Sequence, residues 1–104
     1  MADKGREESV LDQLKDFTWS TQESAAYEAA LDAINEAVGA YTALIAAEEA
    51  VPAPDPAVIA DARSGQAECA RWRQGLDPAD HAAVAATRRR FTQLTRDLRR
   101  AADE

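Results

Sequence analysis

The sequence predicts an all-α fold: an antiparallel helical bundle of three main helices with a short N-terminal helix. Three observations carry that reading. Ala supplies 25 of the 104 residues, and Ala is the strongest helix former, while β-branched residues are sparse. Tyr27, Leu31, Ile34, Val38, Tyr41 and Ile45 recur at 4-3-4-3-4 spacing, a coiled-coil-like seam that one helix uses only against another. All four prolines fall between the helical runs, where a missing amide donor does least harm.

Taken in order, residues 1–6 are polar and read as a disordered tail ahead of a single domain over 7–104. Val10, Leu11, Leu14 and Phe17 then predict a short helix over 7–17. Thr18-Trp19-Ser20 reads as a break, because Ser20 followed by Glu23 forms a capping box for a new helix. That second helix runs over 20–50. Val51-Pro52-Ala53-Pro54-Asp55-Pro56 ends it, and Asp55 with Pro56 caps a third helix over 56–74. This helix carries Val58, Ala62, Gly65, Cys69 and Trp72 at 4-3-4-3 spacing. Gly75 is read as a left-handed stop, and Asp77-Pro78 as the cap of a fourth helix over 78–101. Val84, Thr87, Phe91, Leu94, Leu98 and Ala101 form its seam.

Helix lengths at ~1.5 Å per residue place the end of helix three near the level of Ala33. The first third of helix two is then left for the short first helix to cover, which gathers Phe17, Trp19, Tyr27, Trp72 and Leu76 at one aromatic pole. Helix two also has unlike flanks. Glu28, Asn35, Thr42 and Glu49 line one side of its seam, and Ala30, Ala37 and Leu44 the other. An apolar flank beside an apolar seam suits contact with two neighbours. Gly65 sits on a seam and predicts close approach of a bulky residue such as Tyr41; Gly39 lies off it.

The net charge of −7 argues against indiscriminate binding to nucleic acid or anionic membrane. The charge is unevenly spread: residues 1–60 hold 12 acids and 3 bases, residues 61–104 hold 7 acids and 9 Arg. An acidic half folding onto a basic half is the plainer account, with a surface awaiting a partner as the other. Arg88, Arg89, Arg90, Arg96, Arg99 and Arg100 concentrate the positive charge. They are expected to pair with acids on helix two, and as the alternative to bind phosphates of a nucleic acid.

No constellation of catalytic chemistry competes with these features. His81 is the only histidine and Cys69 the only cysteine; the first reads as a solvated side chain, the second as a small buried hydrophobe. Gly-rich phosphate loops, nucleophile elbows and Glu-x-x-His metal motifs are missing. No cofactor, metal or small-molecule substrate is expected, nor an enzyme. No signal peptide or apolar run of membrane-spanning length is read, so a cytoplasmic, non-membrane protein is expected. Length, acidity and Ala-rich hairpins resemble the WXG family of small secreted bacterial proteins. The Trp-x-Gly turn and the Tyr-x-x-x-acid tail of that family have no counterpart in Trp19-Ser20-Thr21, Trp72-Arg73-Gln74 or the final residues, so the resemblance carries nothing over.

The expected function is a non-enzymatic protein–protein interaction module, an adaptor, regulator or neutralising partner acting through helix packing. Its expected partner-binding residues are Phe17, Trp19 and Tyr27 at the pole, or Ala30, Ala37 and Leu44 on the apolar flank of helix two. The partner is another protein or a second copy, with a homodimer slightly favoured because roughly two dozen large apolar side chains make a thin core.

Overall fold

The computed structural model describes residues 3–103, with the side chains at 3–9, 11–12 and 15–19 outside the description. The described chain is three helices: α1 (Asp3–Glu49), α2 (Pro56–Gly75) and α3 (His81–Asp103). α2 folds back antiparallel along α1, so that Arg63 meets Glu49, Gln66 meets Thr42 and Arg73 meets Asn35. α3 then runs in the same direction as α1, from His81 beside Glu23 to Phe91 against Ala33, Ile34 and Ala37.

The expected four helices are corrected to three, because the break at 18–20 does not occur. Thr, Trp and Ser each give up only a few tenths of a kcal/mol of helix propensity against Ala. Stopping and restarting a helix, by contrast, forfeits backbone hydrogen bonds and demands a new nucleus. With no Pro or Gly at the site, continuation wins. Glu23 does not close a capping box; its carboxylate turns to His81 Nε2 at 3.3 Å. α1 also begins at Asp3, so positions 3–6 of the expected tail are helical.

The α1–α2 turn follows the sequence closely. Asp55 is the N-cap of α2, its Oδ1 accepting from the Ala57 amide at 2.9 Å, with Pro56 as first helical residue. Glu48 Oε1 accepts from the Asp55 amide at 2.9 Å, which ties the proline turn to the end of α1. The second turn departs from expectation. Gly75 does not take a positive φ; the chain instead turns extended at Leu76, with φ −76° and ψ 121°, because Leu76 buries itself against Ala30 and Val84. α3 starts at His81, three positions after Pro78. Asp77 closes a turn by accepting from the Ala79 amide, and Asp80 is the N-cap, accepting from the Ala83 amide at 3.1 Å.

The core lies in two patches along α1. One joins Ala33, Ile34 and Ala37 to Cys69 and Phe91, with Trp72 edge-on to Phe91 at 5.7 Å between ring centroids. The other joins Ala30, Leu76 and Val84, with Tyr27 packed against it. Both flanks of α1 are thereby occupied. The polar flank, Asn35, Thr42 and Glu49, makes side-chain bonds to α2, while the Ala flank faces α3. Ala26, Ala30, Ala33, Ala37, Ala40, Leu44 and Ala47 repeat at 4-3-4-3-4-3 spacing, a second seam beside the first. Between α2 and α3 no α-carbons come within 8 Å; they meet through Trp72, Phe91 and the Arg90–Glu68 pair at 3.2 Å.

Gly65 lies under the Tyr41 ring, where a Cβ would meet Cε1 and Oη at 2.6 Å, whereas a Cβ at Gly39 would meet nothing within 4 Å. Gly65→Ala is therefore expected to lower stability by about 1 kcal/mol, overpacking outweighing helix propensity. Gly39→Ala is expected to raise it by about 0.5–1 kcal/mol. Thermal unfolding of both variants checks the opposite signs. On α3, the Thr87 and Thr95 hydroxyls are buried with no hydrogen-bond partner. Thr87→Val keeps the shape and removes an unsatisfied group, so it is expected to stabilise by about 1 kcal/mol; a lower unfolding midpoint would contradict that account.

Candidate interaction surfaces

α1 outruns its neighbours. α3 begins level with Glu23, and α2 ends near Asn35, so α1 between Asp3 and Gln22 has neither helix beside it. At ~1.5 Å per residue that projection is about 30 Å long. It makes the molecule an 81 × 23 × 18 Å rod with a radius of gyration of 20.7 Å, against about 13 Å for a compact chain of this size. Val10 is 51% and Leu14 56% exposed on it.

Their direction matters as much as their exposure. At 100° per residue, Val10 and Leu14 each lie roughly 160° around the helix from Ala30. The apolar stripe of the projection thus faces away from the Ala side that α1 buries against α3, and lies within roughly 20–60° of Asn35, which bonds to α2. Where the projection leaves the helical body, Gln22, Glu23, Ala26, Pro78, His81 and Val84 line an open cleft of about 220 Å³. The sequence reading missed this cleft, since it is made by α3 starting at Asp80 rather than Asp77.

The two expected partner surfaces, the pole and the flank of helix two, are placed differently. Phe17 and Trp19 belong to the projecting part of α1, and their side chains lie outside the described residues. Tyr27 is half-buried against the Ala30–Leu76–Val84 patch. Ala30 and Ala37 are 0% exposed and lie inside the chain's own core, where no partner reaches them; Leu44 is half-buried. The aromatic pole is divided as well, Tyr27 and Leu76 in one patch and Trp72 in the other. With α1 unbroken, no first helix folds back to bring them together.

The Arg residues of α3 are corrected in a different way. Among the described residues none of the six pairs with an acid of α1. Arg90 turns to α2, stacking 4.5 Å from the Trp72 ring centroid and pairing with Glu68, and Arg100 reaches Asp97 on its own helix at 3.9 Å. Arg88, Arg89, Arg96 and Arg99 are exposed and have no ion pair among the described residues. On α1, the exposed Glu28, Asp32 and Glu36 also have none. The acidic half and the basic half pack together mainly through Ala, Thr and Phe, with Glu49–Arg63 and Glu23–His81 as the ionisable pairs between them among the described residues.

Glu48 and Glu49, adjacent acids in the sequence, serve the fold: one caps the proline turn and the other meets Arg63 at 3.7 Å. No group of three or more His, Cys, Asp or Glu able to hold a metal ion exists among the described residues. None of the helices is long and apolar enough to cross a membrane. Cys69 is 1% exposed; burial first, then the charge of Glu68, pushes its thiol above the usual range. Burial, followed by Cys69 and Glu68, likewise raises the Tyr41 phenol. A buried thiol held protonated is a poor nucleophile.

No protein-family model, curated protein or solved structure matches the chain.

Because both groups bind their protons more tightly folded than unfolded, their stabilising contribution is complete below the unfolded thiol's value of about 8.5. It is lost as pH rises through the higher folded values. Wild-type stability is expected to fall more steeply above about pH 9 than that of Cys69→Ala. Equal slopes in a pH series of thermal unfolding would contradict the assignment.

Proposed function

We propose that this chain is a non-enzymatic helical interaction module, cytoplasmic and acting as an adaptor, regulator or neutralising partner. Its working element is the projecting part of α1, which takes up a helix of another protein in coiled-coil fashion. The observation that carries this is the exposure of Val10 and Leu14 on the part of α1 that extends beyond α2 and α3. Val10, Leu14, Phe17 and Thr21 follow one another at 4-3-4 spacing, the interval at which a second helix lays its own side chains between them. An isolated helix of this length is marginal in water, so continuity with the packed part of α1 supports it until a partner arrives.

The helical body behind the projection supplies rigidity rather than chemistry. Its charged groups cap turns, bridge helices or lie on the surface, and its cysteine is buried. Binding energy in this mode comes from a few apolar anchors that are fully desolvated in the complex.

The test is recovery of a partner complex from the native host with the intact chain and with a Val10→Asp, Leu14→Asp chain. The doubly substituted chain is expected to keep its helicity and unfolding midpoint within about 0.5 kcal/mol, as exposed sites do, and to lose the partner. Trp19→Ala is expected to weaken the same complex. Undiminished recovery by the Val10→Asp, Leu14→Asp chain would exclude the projection as the binding element.

A further inference from the structure

We infer that a second copy of this chain docks on the face formed by α1 and α3 on the side opposite α2. This surface is distinct from the α1 projection, and the inference stands independently of the function proposed above. Arg90 fixes which side of α3 looks toward α2, through Glu68 and Trp72. At 100° per residue Arg88 and Arg99 lie roughly 160–180° from Arg90, on the opposite flank, with Arg96 about 120° away beside them. On α1, Asn35 and Thr42 look toward α2, which turns Asp32 and Glu36 toward the same flank as those Arg residues. One face of the molecule therefore has an acidic edge on α1 and a basic edge on α3. Neither edge is neutralised by another described residue.

The two edges also stand level. Val84 packs on Ala30, and Phe91 on Ala33, Ile34 and Ala37, so Arg88 lies at the height of Asp32 and Glu36. A twofold axis parallel to the helices preserves height and exchanges edges. Arg88 of each copy then stands over Asp32 and Glu36 of the other, with Arg89 about 100° around α3 at the rim of the face and Arg96 about 12 Å further along the helix. Beyond Glu36, the facing part of α1 is Gly39, Ala43 and Ala47, small enough to admit the Arg methylenes.

This arrangement decides the occupant. A nucleic acid would satisfy the Arg edge only by bringing phosphates toward Asp32 and Glu36, within about a Debye length. A second copy neutralises both edges at once, and its contacts are isologous. The face is about 35 Å long and the body about 18–23 Å across, which offers roughly 600 Å² per copy, the low end for a specific interface. The dimer is therefore weak and salt-dependent.

The experiment is sedimentation velocity over a tenfold concentration range at about 0.05 M and about 0.5 M salt, with circular dichroism to confirm that each variant is folded. The intact chain is expected to dimerise at low salt and dissociate at high salt. Arg88→Glu, Arg89→Glu and, separately, Asp32→Arg, Glu36→Arg are each expected to weaken the dimer at least about tenfold. Mixing the two variant chains restores complementarity on both edges and is expected to recover a dimer. A monomer throughout at low salt, a dimer indifferent to both reversals, or folded variants that fail to recover on mixing would each overturn the inference. A monomeric chain that binds a duplex oligonucleotide in an Arg88-dependent way would overturn it too, giving the Arg edge to phosphates.

Discussion

The close contact of α3 with the Ala stripe of α1 is the constraint from which the rest follows. Ala30, Ala33, Ala37 and Ala40 are all buried, and helices bearing such small side chains approach toward the lower end of the usual 8–10 Å range. That approach seats Phe91 against Ile34, where it can meet both Cys69 and the edge of Trp72. Since α2 and α3 have no direct backbone approach, the Phe91 contacts with Trp72 and Cys69 and the Arg90 stack and pair with Glu68 join the two outer helices. Larger residues on the stripe would lift α3 away and leave α2 held by its own contacts with α1, among them the bonds to Asn35 and Thr42, the Arg63–Glu49 pair and the Tyr41–Gly65 contact.

A core built this way is small and confined to one stretch of α1. Apolar residues continue toward the N-terminus, but they migrate around the helix, so Val10 and Leu14 end on the far side from Ala30. The chain cannot bury both groups with two short helices, and α2 and α3 are both short. Helix continuity through Thr18-Trp19-Ser20 then carries the uncovered apolar groups about 30 Å into solvent. Stability and accessibility are thus divided along one helix: its last thirty or so residues (at ~1.5 Å each) are the scaffold, and the earlier ones are the exposed arm.

Electrostatics follows the same division. Between Lys15 and Arg63 the sequence has no basic residue, and α3 carries six Arg. The packing that joins α1 to α3 uses their uncharged sides, because burying an ion pair costs desolvation that Ala and Phe do not incur. The charges are consequently left on the outer edges, acidic beside basic on a single face. Pairs across helices form toward α2, at Glu49 and Arg90, and at the start of α3, where His81 meets Glu23.

Local chemistry determined much of this protein. Helical class, the proline turn, the Asp55 cap, the Tyr41–Gly65 contact and the burial of Cys69 were legible, because each rests on neighbours in sequence or on one periodic seam. The second seam was legible in part, as the flank of Ala30, Ala37 and Leu44, while Ala26, Ala33, Ala40 and Ala47 gave too weak a signal as small side chains to complete its 4-3 interval. The break at Trp19 was misread because a capping box is permissive: Ser and Glu at that spacing can end a helix or lie within one, and only the whole helix decides. Where Asp77 or Asp80 begins α3, whether Gly75 turns left-handed, and which Arg finds a partner were all decided by tertiary packing. Leu76 had to reach Ala30, and that single buried contact set the turn, the start of α3 and the direction in which its charges face.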